Sequence, residues 1–323
     1  MLRNMLAGAK DSFKNPVSLL SNYGLFIFLA VLFIYFSFAS PHFLSQRNFI
    51  NILVSVSVIG IIATAMTLAI IGRGPDLTVG SIVAMTGSIQ AYLVLINGFP
   101  WYVGIVAGII VGVAIGFLNG IIIVKFNLSP LIVTLGMMNL IRGLCFVLID
   151  GMAYFVTDPG LVYLGRARWA GIPVSIIVLI VSFFVFDFIS KKTVYGRYIY
   201  ASGGNRMAAR LAGINVNRLG ISLYVISGFM ASIAGIIVVG IGGAVIPNVG
   251  ESYPLDAVTA VLLGGTALAG GAGSMRKTFL GILIIGIMNN GMALLNVQTF
   301  WQISAKGALL LIAVIIDGLR SRH

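Results

Sequence analysis

Long apolar runs separated by short polar breaks dominate the chain. They fall at about residues 24–39, 51–71, 81–96, 100–122, 128–148, 171–190, 219–240, 255–269, 277–294 and 299–317. Crossing bilayer hydrocarbon takes roughly 17–25 helical residues, so this pattern predicts an all-α, polytopic membrane protein with about ten spans. The first, third and eighth runs are short, which predicts tilted, irregular or incompletely spanning segments with broken helices. Irregular backbone at membrane depth is tolerated only inside protein or beside a water-filled path, because unsatisfied amides in lipid are costly. No Pro/Ser-rich linker or polar stretch marks a second folded unit, so residues 1–323 read as one transmembrane domain with a hydrophilic segment at 191–218.

Charge gives this pattern a direction. With the N-terminus in the cytoplasm, 15 of the 20 Lys/Arg fall on the inner side: Arg3, Lys10, Lys14, Arg73, Lys125, Lys191, Lys192, Arg197, Arg206, Arg210, Arg218, Arg276, Lys277, Arg320 and Arg322. Arg47, Arg166 and Arg168 remain outside, and Arg142 and Lys306 fall within spans. The positive-inside rule then predicts two cytoplasmic termini and an even number of crossings. The net charge of +12 would suggest nucleic acid in a soluble protein, but its placement beside membrane spans points to lipid headgroups and excludes a nucleic-acid partner. The basic N-terminus precedes an apolar run without a small-residue cleavage site, so the first span is expected to be retained.

Several breaks interrupt the apolar pattern. Ile71-Gly72-Arg73-Gly74-Pro75-Asp76-Leu77-Thr78-Val79-Gly80 joins two runs; Gly74-Pro75 ends regular helix, and Asp76 is expected to cap the next one. Gly104, Gly108, Gly112, Gly116 and Gly120 recur every four residues, which lays bare backbone along one helical face for close packing. Within 191–218, Asn205 is placed to cap a short helix ending at Gly213, with Met207, Ala208, Leu211 and Ala212 on its less polar side, Arg206 and Arg210 toward solvent, and Ala209 between them. So short a helix is marginal alone, and docking on another protein gives its apolar stripe a use. The stretch around 150–168 reads as a folded extracytoplasmic loop or a plain connector. Further on, Gly240 to Gly243 and Pro247 precede Glu251 and Asp256, and Gly264, Gly265, Gly270 and Gly271 break another run. These glycines lack the Lys-Ser/Thr of a P-loop and the spacing of a dinucleotide fingerprint. The breaks at 72–80 and 264–273 occupy similar places in the pattern and suggest two related halves.

The candidate chemistry is polar but not catalytic. One cysteine, Cys145, and two histidines, His42 and His323, offer no metal set, and no serine has a recognisable base and orienter. Thr64, Thr67, Thr86, Gln90, Asn119, Thr134, Asn139, Arg142, Ser227, Asn289, Asn290 and Lys306 are the in-span polar groups available to a path or to helix contacts. Of these, Thr86, Gln90, Asn119, Asn139, Asn289 and Asn290 are the candidates for lining a path for a neutral, hydroxyl-rich solute. Asp187, beside Lys191, is the clearest in-span acid, and no dense acidic relay for ion coupling is visible. An ion-coupled secondary sugar transporter and a structural membrane subunit remain the alternative classes.

At three blocks the chain resembles the permease family of bacterial ribose, arabinose, xylose and galactose-type ABC importers. They are Gly74-Pro75-Asp76-Leu77-Thr78-Val79-Gly80; Gly196-Arg197-Tyr198-Ile199-Tyr200-Ala201 with Gly204-Asn205 and Ala208-Ala209-Arg210-Leu211-Ala212-Gly213-Ile214; and Leu263-Gly264-Gly265-Thr266 through Gly273. Pro75 and Thr78 depart from the family's usual small or hydrophobic residue and serine. The resemblance implies a bacterial inner-membrane permease whose segment from Asn205 to Gly213 docks into a separate ABC ATPase that holds ATP and magnesium. It further implies a soluble extracytoplasmic sugar-binding protein and a second permease copy or paralogue, with no cofactor on this chain.

Overall fold

The computed structural model describes residues 16–320; the inner-side assignments of Arg3, Lys10, Lys14 and Arg322, and the terminal His323, lie outside the described residues. Thirteen helices account for almost all of the described chain: α1 (Pro16–Ala39), α2 (Gln46–Ile71), α3 (Val79–Gln90), α4 (Trp101–Phe126), α5 (Pro130–Leu148), α6 (Pro159–Arg166), α7 (Val174–Lys192), α8 (Val194–Gly204), α9 (Arg206–Leu211), α10 (Val216–Gly242), α11 (Tyr253–Leu263), α12 (Met275–Leu294) and α13 (Thr299–Arg320). Four two-residue strands, β1 (Tyr154–Phe155), β2 (Arg168–Trp169), β3 (Ile172–Pro173) and β4 (Ala244–Val245), form two small antiparallel pairs, β1 with β4 and β2 with β3. Eight helices are long and apolar enough to cross a membrane, and the apolar stretches Gly24–Ala39 and Tyr253–Leu263 are shorter.

Two of the three short runs carry the expected irregularities. The third continues past Gln90 as a π-helical turn, Ala91–Ile96, so one uninterrupted helical rod runs from 79 to 96. The eighth is not a span over 255–269: α11 stops at Leu263 after 11 residues, or about 16 Å at 1.5 Å per residue. Gly264 and Gly265 end it, the latter at φ 74°, a conformation closed to the side chains that would continue the helix. Hydropathy runs on through Ala267, Leu268 and Ala269, but helicity does not.

The helix ends follow from local chemistry. Ser45 accepts the Asn48 amide at the start of α2, and Asn215 accepts the Arg218 amide at the start of α10. Pro130, Pro159 and Pro254 occupy first-turn positions, where no amide is needed. Asn127 at φ 51° and Gly243 at φ 63° close α4 and α10 in the left-handed conformation that helix C-termini favour. Burial separates centre from periphery. The spanning stretch of α2 is 89% buried and that of α3 with its π-turn 78%, against 17% for α5 and 11% for α13. The last two therefore face lipid or another subunit.

The glycine row on α4 is what draws the centre together. Gly104 and Gly108 face Val94 and Thr86 of the α3 rod, while Gly112, Gly116 and Gly120 meet α10 at Ser232, Tyr224 and Ile221. Gly228 of α10 in turn abuts the Gly112 carbonyl, so the two helices touch backbone to backbone. Without a hydrophobic drive between helices in lipid, such approach supplies the dispersion contacts that hold a bundle. Gly116→Val would drive a side chain into the Tyr224 main chain. It should lower stability by about 1–3 kcal/mol, seen as an earlier thermal transition in detergent, whereas Gly136→Ala, with open space at that position, should leave the transition in place.

Candidate functional site

Two stretches of non-helical backbone enter this bundle, and their depth can be read from α4. Ile82 lies 2.9 Å from where a Cβ on Gly112 would sit, so the beginning of α3 is level with the middle of α4. Gly80, half a turn earlier, packs against the Gly250 carbonyl and Pro254, the latter 2.8 Å from its Cβ position. Residue 250 and the N-terminus of α11 therefore lie at mid-depth. The chain leaves α10, pairs β4 with β1, and returns through the turns of 246–252 to start α11 inside the bundle.

The side chains of this return divide between a buried and an open side. Val245, Pro247 and Gly250 are buried, with Val245 lying against the Gly87 position of α3, while Ile246, Asn248, Glu251 and Ser252 are open. The inward carbonyls have a donor: Arg142 Nη1 on α5 donates to Pro247 O and Val249 O, 2.8 Å each. That explains a guanidinium inside an apolar helix. It is the hydrogen-bond source for backbone that has left helical pairing. At the first turn of α11, Asp256 is 4% exposed and pairs with Lys306 of α13 at 2.9 Å, with the Ser252 hydroxyl donating to the same carboxylate at 3.3 Å. Each of the two in-span cations thus has a structural partner.

The second stretch is the break between α2 and α3. Gly72 and Gly74 donate back to Leu68 O and Ala69 O, and Arg73 adopts φ 66° between them. Asp76 is fully buried and accepts the Thr78 amide at 2.9 Å and the Thr78 hydroxyl. It thus closes an Asx turn one step before the helix, and Thr78, not Asp76, is the N-cap residue of α3. Asn119 of α4 donates to the Thr78 hydroxyl at 3.0 Å, tying this turn to the glycine-rich helix. Pro75 sits half-buried within the turn.

The glycines after α11 meet the same break. Gly264, Gly265 and Gly270 donate to Ala260 O, Leu262 O and Ala267 O, and Gly271 donates across to Ile71 O at 2.8 Å. Their amides are engaged by main-chain carbonyls, so they form a tight crossing rather than an anion cradle. The two breaks that look alike in sequence are thus joined in space.

The basic segment lies directly beneath. Thr193 caps α8 through the Gly196 amide, and Asn205 caps α9 by accepting the Ala208 amide at 3.0 Å. Gly213 at φ 82° closes the turn after α9. Met207 and Leu211 are 63% and 82% exposed, Arg206, Ala208, Arg210, Ala212 and Gly213 are also open, and Ala209 alone in this helix is buried. The stripe expected from the sequence is present, and it is uncovered among the described residues. Tyr195 bonds Ser222 of α10 at 2.6 Å, and Tyr200 donates to Gly273 O at 3.0 Å. Burial pushes both phenols above their ordinary range, so they stay protonated.

The remaining sequence candidates are dispersed. Thr86 and Gln90 are buried between the α3 rod and α4, and the Thr86 hydroxyl, both Gln90 amide atoms and Asn119 Oδ1 have no hydrogen-bond partner among the described residues. Asn290 exchanges amide bonds with Asn48 at 2.8 and 3.0 Å, Asn289 beside it is half-buried, and Asn139 is exposed on α5. Thr64, Thr67 and Thr134 bond their own helices. Asp187 bridges Lys191 and Arg276 at the basic end, and Cys145 is packed with its thiol toward Ser81 O. Asn248, Glu251 and Ser252, open at mid-depth, are not among the sequence candidates for a path; the signal beside them is the break at Gly240 to Gly243 and Pro247 that precedes Glu251. Among the described residues no three His, Cys, Asp or Glu side chains are grouped to hold a metal.

Arg142→Met should expose the cost of two buried carbonyls left without a donor, about 1–3 kcal/mol each, as a lower thermal transition that Arg142→Lys restores in part. Lys306→Met should likewise destabilise by about 3–5 kcal/mol by stranding Asp256, while combining it with Asp256→Leu should recover most of the loss.

Comparison with known proteins gives one consistent answer. The family described as "Branched-chain amino acid transport system / permease component" matches residues 48–315. The ribose import permease protein RbsC of Haemophilus influenzae is 40% identical over 296 residues, 90% of this chain and 91% of the relative. RbsC of Escherichia coli K12 is 41% identical over 295 residues, 90% of this chain and 92% of the relative. The L-arabinose ABC transporter permease protein AraH of Azospirillum brasilense is 36% identical over 302 residues, 94% and 89% of the two chains. No solved structure matches the chain.

Proposed function

The chain belongs to this family of transport-system permease components, and from that premise we propose that it is the membrane subunit of an ATP-driven importer for a monosaccharide such as ribose or arabinose. It is a multi-pass inner-membrane permease and not an enzyme. The basic end faces the cytoplasm, where α9 seats in a separate ABC ATPase that binds ATP and magnesium; the opposite end receives a soluble sugar-binding protein; and a second permease copy or paralogue completes the path. Residues 1–323 act as one permease unit, with 191–218 as its coupling region.

The observation that carries this reading is the open side of 244–252. Non-helical backbone at mid-depth cannot face lipid, so this side faces either a partner permease or a water-filled route between the two. Asn248, Glu251 and Ser252 present amide, carboxylate and hydroxyl groups there beside the N-terminus of the half-helix α11. Binding near the midplane at broken helices is the arrangement transport folds use repeatedly. Hydrogen-bonding groups of this kind suit sugar hydroxyls. Thr86, Gln90 and Asn119 lie behind this surface and act by holding α3 against α4, and Asn139, Asn289 and Asn290 are further contributors to the route or to subunit contact. Ion coupling is the weaker reading, because Asp256 is spent on Lys306 and Asp187 on Lys191 and Arg276.

Transport would proceed by alternating access. ATP binding in the ATPase moves α9, the crossing of the two breaks transmits the movement, and the half-helices α3 and α11 shift around the midplane surface. The purified complex in liposomes, given a panel of monosaccharides, should take up ribose or arabinose only with ATP and the binding protein; uptake driven by an ion gradient without ATP would reject the reading. Replacing Arg210 and Leu211 together by alanine should weaken ATPase association by about tenfold or more while membrane insertion is retained.

A further inference from the structure

One guanidinium ties the coupling region to the break between α2 and α3, beside the contacts of Tyr195 with Ser222 and Tyr200 with Gly273. Arg73 Nε donates to Gly203 O at 2.5 Å and Nη2 to Gly204 O at 2.8 Å. Gly203 and Gly204 are the last residues of α8, and Asn205, next in sequence, is at once the end of α8 and the cap of α9. Carbonyls at a helix C-terminus lack intrahelical partners and carry the negative end of its dipole, so a cation with two donors suits them.

The other end of Arg73 is just as firmly placed. Its backbone stands at φ 66° between Gly72 and Gly74, three residues before buried Asp76. Its side chain stem lies so close to Gly270 that a Cβ there would collide with it, and Gly271 next door donates to Ile71 O. A cleft of about 70 Å³, lined in part by Gly72, Gly74, Ser202, Arg206 and Tyr224, leaves the junction unfilled on one side. On its other side Gly203 and Gly204 pack main chain to main chain against Ile71 and Gly271, and the Arg73 fork is the side-chain link across the junction.

We propose that Arg73 is the positioning residue that makes the α2–α3 break move with the α8–α9 junction, so that displacement of α9 reaches Asp76, Thr78 and the start of α3. Lysine has one compact charged head on a flexible stem and no fork, so it can hold one of the two carbonyls but not fix both. The proposal rests on the importer reading above, and the two are separable in experiment.

The test uses the complete complex with its ATPase and binding protein in liposomes, comparing the unmodified chain, Arg73→Ala and Arg73→Lys for subunit stoichiometry, ATP hydrolysis and monosaccharide uptake. Arg73→Ala should assemble and hydrolyse ATP, yet deliver at least about fivefold less sugar per ATP, the lower bound of ordinary site-to-site coupling; Arg73→Lys should fall between. A sugar-to-ATP ratio within twofold of the unmodified complex in both variants overturns the assignment. Should Arg73→Ala fail to assemble, Arg73→Lys decides: an intermediate ratio supports the relay, and an unmodified ratio rejects it. Absence of ATP-driven uptake by the unmodified complex overturns the importer reading, and the relay with it.

Discussion

Every part of this structure answers to one constraint: main-chain carbonyls and amides that leave helical pairing inside a membrane must find partners within the protein. Arg142 is the clearest answer, a charged side chain on a lipid-side helix whose donors reach Pro247 O and Val249 O. Placing a guanidinium at that depth is costly by itself. The non-helical turn it serves would leave two carbonyls unpaired without it, and that turn is what lets α11 begin in the middle of the bundle. Helix α4 supplies the complementary condition. Its glycine face brings α3 and α10 close enough to enclose the break at 72–78 and to set Gly80 against Gly250.

From these contacts follows a division between fixed and movable parts. The α4–α10 pair is locked backbone to backbone and offers few ways to slide. The rod from 79 to 96 packs along α4 and α10 and α11 packs on α12, while the two breaks and the α8–α9 pair are joined by short turns and individual hydrogen bonds, including Gly271 to Ile71, Tyr200 to Gly273 and Asn119 to Thr78. Rigid elements with two packings joined at such points are what alternating access requires. In the importer proposed above, the exposed Met207 and Leu211 would receive the ATPase's movement, and the open side of 244–252 would meet the solute.

Much of this was legible in the sequence, and the gaps have physical causes. Apolar runs report burial in lipid, so the spans stood out; they do not report backbone conformation, so α11 ran on in the reading to 269 past Gly264 and Gly265. The break at Gly240 to Gly243 and Pro247 was legible, but composition does not carry its return to mid-depth beside Gly80. Glycine spacing on α4 was readable because one helix carries its whole pattern. The partners of Arg142 were not, because they lie 105 and 107 residues away. Asp76 was recognised as important, but its acceptor role shifted from the helix cap to the turn before it, a distinction of local dihedrals that composition does not carry.

The central claim is that 244–252 presents its open side to water at mid-depth rather than to lipid. Thiol accessibility tests it most directly: in a Cys145→Ala background, Asn248→Cys and Ser252→Cys are compared with Phe184→Cys on the exposed apolar face of α7, using a membrane-impermeant reagent on the assembled complex with and without ATP. The account predicts that positions 248 and 252 are labelled at rates that differ between the two nucleotide states, while position 184 is not labelled in either. Resistance of 248 and 252 to the reagent in both states, matching 184, would contradict it.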